Sequence, residues 1–197
     1  MQKILIGTNN KGKVKEYKFF LSNYFDVLTP ADIGVNFDVA ETGTTYEENS
    51  LLKLEFLRRK DLNMAILCDD SGLEIESLSG EPGIFSARYA GEDCSDQDNI
   101  NKVLRNLKGK KDRKAKFVCV ISFFWEKFSS FPRLFRGECH GSIIDNQSGN
   151  SGFGYDPIFF YENLAKTFAN LSEDEKNKVS HRAIAMKELF SNLNFWL

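Results

Sequence analysis

No excess of one charge sign marks this sequence. Its 26 Lys and Arg stand against 28 Asp and Glu, a formal charge of −2 over 197 residues. Without a global basic field there is nothing to draw nucleic acid at long range, so an anionic ligand must be held by a local cluster of cations. Histidine is scarce, at two residues, and Cys68, Cys94, Cys119 and Cys139 form no C-x-x-C pair. That speaks against a structural zinc site and for reduced thiols in a cytoplasmic protein. Long apolar runs are missing too. The run after Lys3 is strand-length, too short for a signal peptide or a membrane span. There is no repeat, no low-complexity tract and no linker, which points to one domain over residues 1–197. What is plentiful is phenylalanine, with 18 residues for a core of packed rings.

Local patterns give a coarse map. Lys3–Gly7 reads as a buried strand, followed by a helix with Val14, Tyr17, Leu21 and Phe25 on one face. Thr45-Tyr46-Glu47-Glu48 resembles a capping box opening a helix to about Arg59, on which Asn49 and Lys53, four apart, share a face. Met64–Cys68 reads as a strand ending in an Asp69-Asp70-Ser71-Gly72 turn, with a second strand over Leu73–Leu78. Ser95 caps a helix to Leu107. Lys116–Trp125 and Leu134–Ile144 read as long, neighbouring strands, and Lys108–Lys116 as a solvated basic loop. Ser172 opens a short helix through Lys178, and a final helix over residues 181–193 buries Ala185, Leu189, Phe190 and Leu193. Helices and strands alternate early and strands cluster later, which predicts an α/β fold on a mixed sheet.

Several segments carry chemistry. Gly7-Thr8-Asn9-Asn10-Lys11-Gly12-Lys13-Val14 follows the G-x-x-x-x-G-K-[ST] phosphate loop except at its last position. Val14 has no hydroxyl for Mg²⁺, so the loop faces phosphate while any metal is held elsewhere. Met64–Asp69 imitates the apolar strand and acid of a P-loop protein, so a P-loop NTPase remains an alternative. Asp69-Asp70-Ser71-Gly72 has two readings: a β-turn, or a metal site whose cation relieves the repulsion of adjacent carboxylates. Glu41 and Lys53, taken alone, are a surface acid and a solvated lysine. Gly152-Phe153-Gly154-Tyr155-Asp156-Pro157 is a turn before a strand, or a displayed ring that stacks on a base. Ser180 is an N-cap, or, with His181 and Arg182, the edge of a ligand site.

Taken together and in order, these segments resemble the inosine triphosphate pyrophosphatase family over residues 3 to about 190. The carriers are Thr8–Lys13, Glu41-Thr42-Gly43, Glu48-Asn49 with Lys53, Asp69–Leu73, Pro82–Tyr89, Gly152–Pro157, Lys176 and Ser180-His181-Arg182. Departures are mild: Cys68 stands where a small Ala is common, and residues 108–114 and 145–150 look like variable loops. The resemblance implies an elongated mixed sheet flanked by helices, in two lobes with a cleft between them. It implies hydrolysis of ITP, dITP and XTP to the monophosphate and pyrophosphate, with Mg²⁺ as cofactor, a homodimer, and neither nucleic-acid nor membrane partners. The dimer has the Phe195-Trp196-Leu197 tail as one candidate surface.

By the same resemblance Asp70 is the catalytic proton acceptor, and Glu41 and Asp70 hold the metal. Substrate contacts fall to Thr8, Asn9, Asn10, Lys11, Gly12, Lys13, Lys53, Ser71, Phe153, Gly154, Tyr155, Asp156, Lys176, His181 and Arg182. Lys13, Lys53 and Lys176 supply positive charge to the phosphates, Asp69 orients Asp70, and Phe153 stacks on the purine. Metal assistance is expected, because an Asp with a pKa near 4 is a weak base. Two other readings stay open: a P-loop NTPase, which releases phosphate, and a nucleotide sensor without turnover.

Overall fold

The computed structural model describes residues 1–193; the Phe195-Trp196-Leu197 tail lies outside them. In chain order the elements are β1 (Gln2–Gly7), α1 (Lys11–Leu21), β2 (Phe25–Leu28), α2 (Tyr46–Arg58), β3 (Ala65–Ile75) and α3 (Asp96–Asn106). Then follow β4 (Lys114–Phe124), β5 (Arg133–Ile143), β6 (Phe159–Tyr161), β7 (Lys166–Thr167), α4 (Glu173–Val179) and α5 (His181–Leu193). The strands form one sheet in the order β2-β1-β3-β4-β5-β6-β7. β1 runs parallel to both β2 and β3, with α1 and α2 in the connections, while β6 runs antiparallel to β5 and β7. The fold is therefore α/β on a mixed sheet, as the sequence pattern predicts. Among the described residues no helix is long and apolar enough to cross a membrane.

The chain divides into two compact units. The first comprises Met1–Asp70, Cys119–Gly137 and the described residues from Ala185 on. Its parallel strands are buried on both faces, as a sheet with helices on either side requires. The two-residue period sorts the side chains. Ile4, Ile6 and Leu67 pack with Tyr17 and Leu21 of α1 and with Ala185, Met186 and Leu189 of α5. Leu5, Ile66 and Cys68 face the other way, against Leu54 and Leu57 of α2 and the Phe37 ring. Gly7 closes β1 where only glycine fits: a Cβ there would lie 2.3 Å from Cys68 Sγ.

The second unit comprises Ser71–Val118 and Glu138–Ile184. Leu73 and Ile75 of β3 join Ile100, Val103 and Leu107 in a core dominated by rings. Phe117 lies 4.5 Å from Phe159 and 5.7 Å from Phe168, centroid to centroid. Three hydrogen-bonded caps fix its helix starts: Ser95 on α3, Ser172 on α4, and Ser180, whose Oγ accepts from Ala183 N. Ser95 and Ser172 form complete capping boxes, each worth on the order of 1 kcal/mol.

Several local expectations change. Asp69–Gly72 is no turn: β3 is one continuous strand of 11 residues, and the second strand ends at Ile75, before a 3-10 turn over Glu76–Leu78. Pairing with β1 ends at Cys68, and it is β4, the neighbour of β3 on the other side, that carries the strand on and overrides the turn preference of Asp, Ser and Gly. Phe25 belongs to β2, since α1 stops at Leu21 with Ser22 as its C-cap. Thr45 caps α2 as predicted, but the Glu48 carboxylate reaches back to the N–H and hydroxyl of Thr44. The basic stretch 108–116 is not all loop: Lys114–Lys116 begin β4, where Lys116 pairs with Glu74 and Glu138. Phe190 is only half-buried. All four cysteines are free thiols.

Candidate active site

The period of a strand decides what Asp69 and Asp70 do. Adjacent residues on β3 point to opposite faces, so the two carboxylates are parted rather than pressed together. Asp69 lies on the face of Leu67, where Lys13 of α1 donates to its Oδ2 at 2.8 Å and Cys119 Sγ lies 3.9 Å away. Asp70 lies on the face of Cys68, where α2 supplies its partners. Lys53 Nζ is 3.2 Å from Asp70 Oδ1, and Asn49 Nδ2 donates to Asp70 Oδ2 at 3.3 Å. The shared face of Asn49 and Lys53 on α2 is thus the face that meets Asp70.

Lys53 is the hub of this cluster. Its ammonium also reaches Glu41 Oε1 at 2.6 Å and the Asp69 carbonyl at 3.0 Å. It is 8% exposed, so it is not the solvated helix lysine of the plainer reading. Burial alone would depress its pKa, but Asp70, Glu41 and Asp69 reverse this, and Lys53 stays charged well above the usual lysine range. Burial pushes Asp70 the other way, upward from 3.8, and the neighbouring ammoniums of Lys53 and Lys13 only partly offset it. Desolvation thus makes Asp70 a better base than a free aspartate.

Loop 8–13 forms the N-terminal end of α1. Thr8 Oγ1 accepts from Asn10 N, and the N-cap Asn10 accepts from Lys13 N at 3.0 Å. Helix geometry leaves the first N–H groups, those of Lys11 and Gly12 among them, without intrahelical acceptors, a natural seat for an anion. Lys11 is exposed, and Val14 is half-buried on α1. Asn9 is turned to structure: its Nδ2 donates to the Phe37 carbonyl at 2.6 Å.

The second unit holds a different cluster. Asp156, 2% exposed, accepts from Lys176 Nζ at 2.5 Å and from Phe153 N at 3.0 Å. The Lys176 ammonium lies 4.8 Å from the Phe153 ring centroid, a cation–π contact, and Arg182 Cζ lies at 5.9 Å. Gly152, at φ +81°, brings the chain so close that a Cβ would sit 2.0 Å from Asp156 Oδ2. Gly154 N donates to Asp96 at 2.6 Å, and the Tyr155 hydroxyl turns inward to the Ser86 carbonyl at 2.8 Å. Arg182, 1% exposed, donates from Nη2 to Ser71 Oγ at 3.1 Å. The His181 ring stacks on Phe117 at 4.8 Å.

The structure thus brings Lys13, Glu41, Lys53 and Asp70 together in one unit. Ser71, Phe153, Asp156, Lys176, His181 and Arg182 lie in the other. Lys176, expected as a phosphate cation, is paired with Asp156 and packed against rings. Sequence reasoning assigned no task to Asn49, although its spacing from Lys53 was the signal that both work on one target. The Asp156–Lys176 pair had no local signal, because the partners stand 20 residues apart.

No group of three or more His, Cys, Asp or Glu among the described residues could hold a metal ion by itself. Glu41 and Asp70 nevertheless offer hard oxygen donors on one face of β3. Two carboxylates converge on the one Lys53 ammonium, a donor set that fits a hard cation sharing its shell with phosphate oxygens and water.

The model of the Ham1 family matches residues 4–192. The chain is 46% identical over 189 residues to a dITP/XTP pyrophosphatase of Staphylococcus aureus, covering 96% of this chain and 95% of the relative. Among solved structures it is similar to the Ham1 protein of S. aureus, with a TM-score of 0.86, 44% identity and coverage of 98% and 99% of the two chains. The HAM1 protein of Coxiella burnetii gives a TM-score of 0.87 at 35% identity, with 99% and 100% covered. A nucleoside-triphosphatase / dITP/XTP pyrophosphatase of Mycobacterium abscessus gives 0.73 at 33% identity, with 95% and 98% covered.

Proposed function

The chain belongs to the Ham1 family, and on that premise we propose that it hydrolyses deaminated purine nucleoside triphosphates. The substrates are dITP, XTP and ITP, and the products are the nucleoside monophosphate and pyrophosphate. The observation that carries this reading is the Lys53 ammonium set between Glu41 and Asp70, in the same unit as the phosphate-facing loop 8–13. Relatives named dITP/XTP pyrophosphatase, matched over nearly their whole length, support the substrate class.

In this mechanism the N–H groups of Lys11 and Gly12 and the Lys13 ammonium hold phosphate oxygens. Asp69 steers Lys13 toward them through its 2.8 Å ion pair. Lys53 orients Asp70, and Asp70 takes the proton of the attacking water at a carboxylate oxygen. Glu41 and Asp70 would hold Mg²⁺, which when bound acidifies water and offsets phosphate charge. Positioning and charge neutralisation dominate such phosphoryl chemistry.

At the base end Phe153 stacks on the purine, held by the Asp156–Lys176 pair, and donors around His181 and Arg182 meet the 6-oxo group. Adenine presents an amino donor there. That mismatch costs on the order of 1–3 kcal/mol, enough for selection against ATP. Mg²⁺ dependence, a homodimeric state and a cytoplasmic location are parts of the same proposal.

Incubating the protein with dITP, XTP, ITP or ATP and Mg²⁺, with phosphate and pyrophosphate measured separately, tests it. Pyrophosphate from the 6-oxo nucleotides and little turnover of ATP is the expected result. Phosphate release would support a P-loop mechanism, no product a sensor, and equal rates on ATP would overturn the base selection.

A further inference from the structure

We infer that Asn49 is a positioning residue that ties the loop carrying Glu41 to the strand carrying Asp70, so that both carboxylates meet Lys53 in one arrangement. The inference rests on the reading of Glu41 and Asp70 as reactive groups, and goes beyond it by naming what sets their separation.

Glu41 lies in a segment without regular secondary structure, between the 3-10 turn at Ala31–Ile33 and α2. Such a segment positions a carboxylate only if something holds it. One hold is at its start: Asn9 Nδ2 donates to the Phe37 carbonyl, and the Phe37 ring is buried edge-on to Phe56. The other is just past Glu41. Gly43 N donates to Asn49 Oδ1 at 2.8 Å, and the other half of the same amide donates to Asp70 Oδ2 at 3.3 Å.

The chemistry leaves no ambiguity in the amide's direction. A backbone N–H only donates, so the Asn49 oxygen faces Gly43 and its NH₂ faces the carboxylate. Asn49 is 0% exposed, so water cannot replace either bond. The approach also needs Gly43: a Cβ there would lie 2.7 Å from Asn49 Oδ1 and 2.6 Å from Glu48 Cβ. A residue that merely capped α2 would have no use for the second bond.

The test uses Asn49→Asp, Asn49→Ala, Gly43→Ala and the Asn49→Ala/Gly43→Ala double variant. Steady-state hydrolysis of dITP with Mg²⁺ is measured beside amide hydrogen exchange of residues 38–44 in the free protein. Asn49→Asp keeps an acceptor for Gly43 N–H but sets a carboxylate against Asp70 in place of the donor. It should leave loop exchange close to wild type while kcat falls about 10- to 100-fold with little change in KM. Asn49→Ala and Gly43→Ala should both speed loop exchange and lower kcat, and the double variant should be no worse than the weaker single, because one clamp is broken twice.

Wild-type kcat in both Asn49→Asp and Gly43→Ala would overturn the inference. Should the buried charge of Asn49→Asp prevent folding, Gly43→Ala carries the test without a change of charge. If the wild-type protein released no pyrophosphate, the functional reading would fall. Unchanged exchange in Asn49→Ala would sink the clamp independently.

Discussion

The two clusters differ in how they treat charge. In the first unit the carboxylates of Glu41 and Asp70 converge on the one Lys53 ammonium, while Asp69 takes Lys13 on the other face of β3. In the second, Asp156 and Lys176 pair one to one at 2.5 Å beside the Phe153 ring, with the Arg182 guanidinium 5.9 Å from that ring. An unbalanced acidic cluster is costly to bury and makes sense where a cation and phosphates complete it. A balanced pair beneath a ring costs less and shapes a surface. The first arrangement suits bond cleavage, the second suits reading a base.

The sharpest way to break this contrast is Asp70→Asn. Pyrophosphate release should fall at least about 100-fold, the scale of a lost general base. Its stability should move the other way. The folded pKa of Asp70 lies above the ordinary 3.8, so the fold binds more protons than the unfolded chain between those two values. Stability is therefore lost as pH rises through that window, and a neutral isostere escapes the loss. The metal-free Asp70→Asn protein should melt no lower than wild type at neutral pH. A lower melting temperature would contradict the desolvation argument.

Next come the two lysines. Lys53→Met and Lys176→Met each leave a buried carboxylate without its ammonium, at a cost of about 3–5 kcal/mol in denaturant unfolding. Their kinetics should separate: Lys53→Met should lower kcat, while Lys176→Met should mainly raise KM for dITP. Matching kinetic signatures would erase the distinction between the clusters. Phe153→Ala should have a smaller effect, raising KM about tenfold, on the scale of a lost base–ring stack. Smallest of all, Glu47→Gln breaks an exposed pair with Arg136 and should shift stability by less than about 1 kcal/mol.

Much of the fold was legible because periodicity and caps are local. Residues 2–7, 46–58 and 96–106 carry their own strand or helix signals, and the structure keeps them. The failures share a cause. Asp69–Gly72 has turn chemistry and is strand because β4 lies beside β3 past the end of β1. Glu48 looked like one half of a box and found Thr44 instead. At the site, the residue types could be picked out from motif order. Their partners could not: Lys13 meets Asp69 across 56 positions of sequence, and Arg182 meets Ser71 across 111.

The sequence by itself determined the family, the α/β class, the helix starts and the chemical groups that matter, because each of these is written in residue type and short spacing. Only the tertiary structure decided that Asp69 and Asp70 part to opposite faces of β3, each with its own lysine. It also decided that Lys176 is held by Asp156, and that Asn49 joins a loop to a strand. Those outcomes depend on which distant segments a low-dielectric interior brings together, where every buried charge and amide must find its partner.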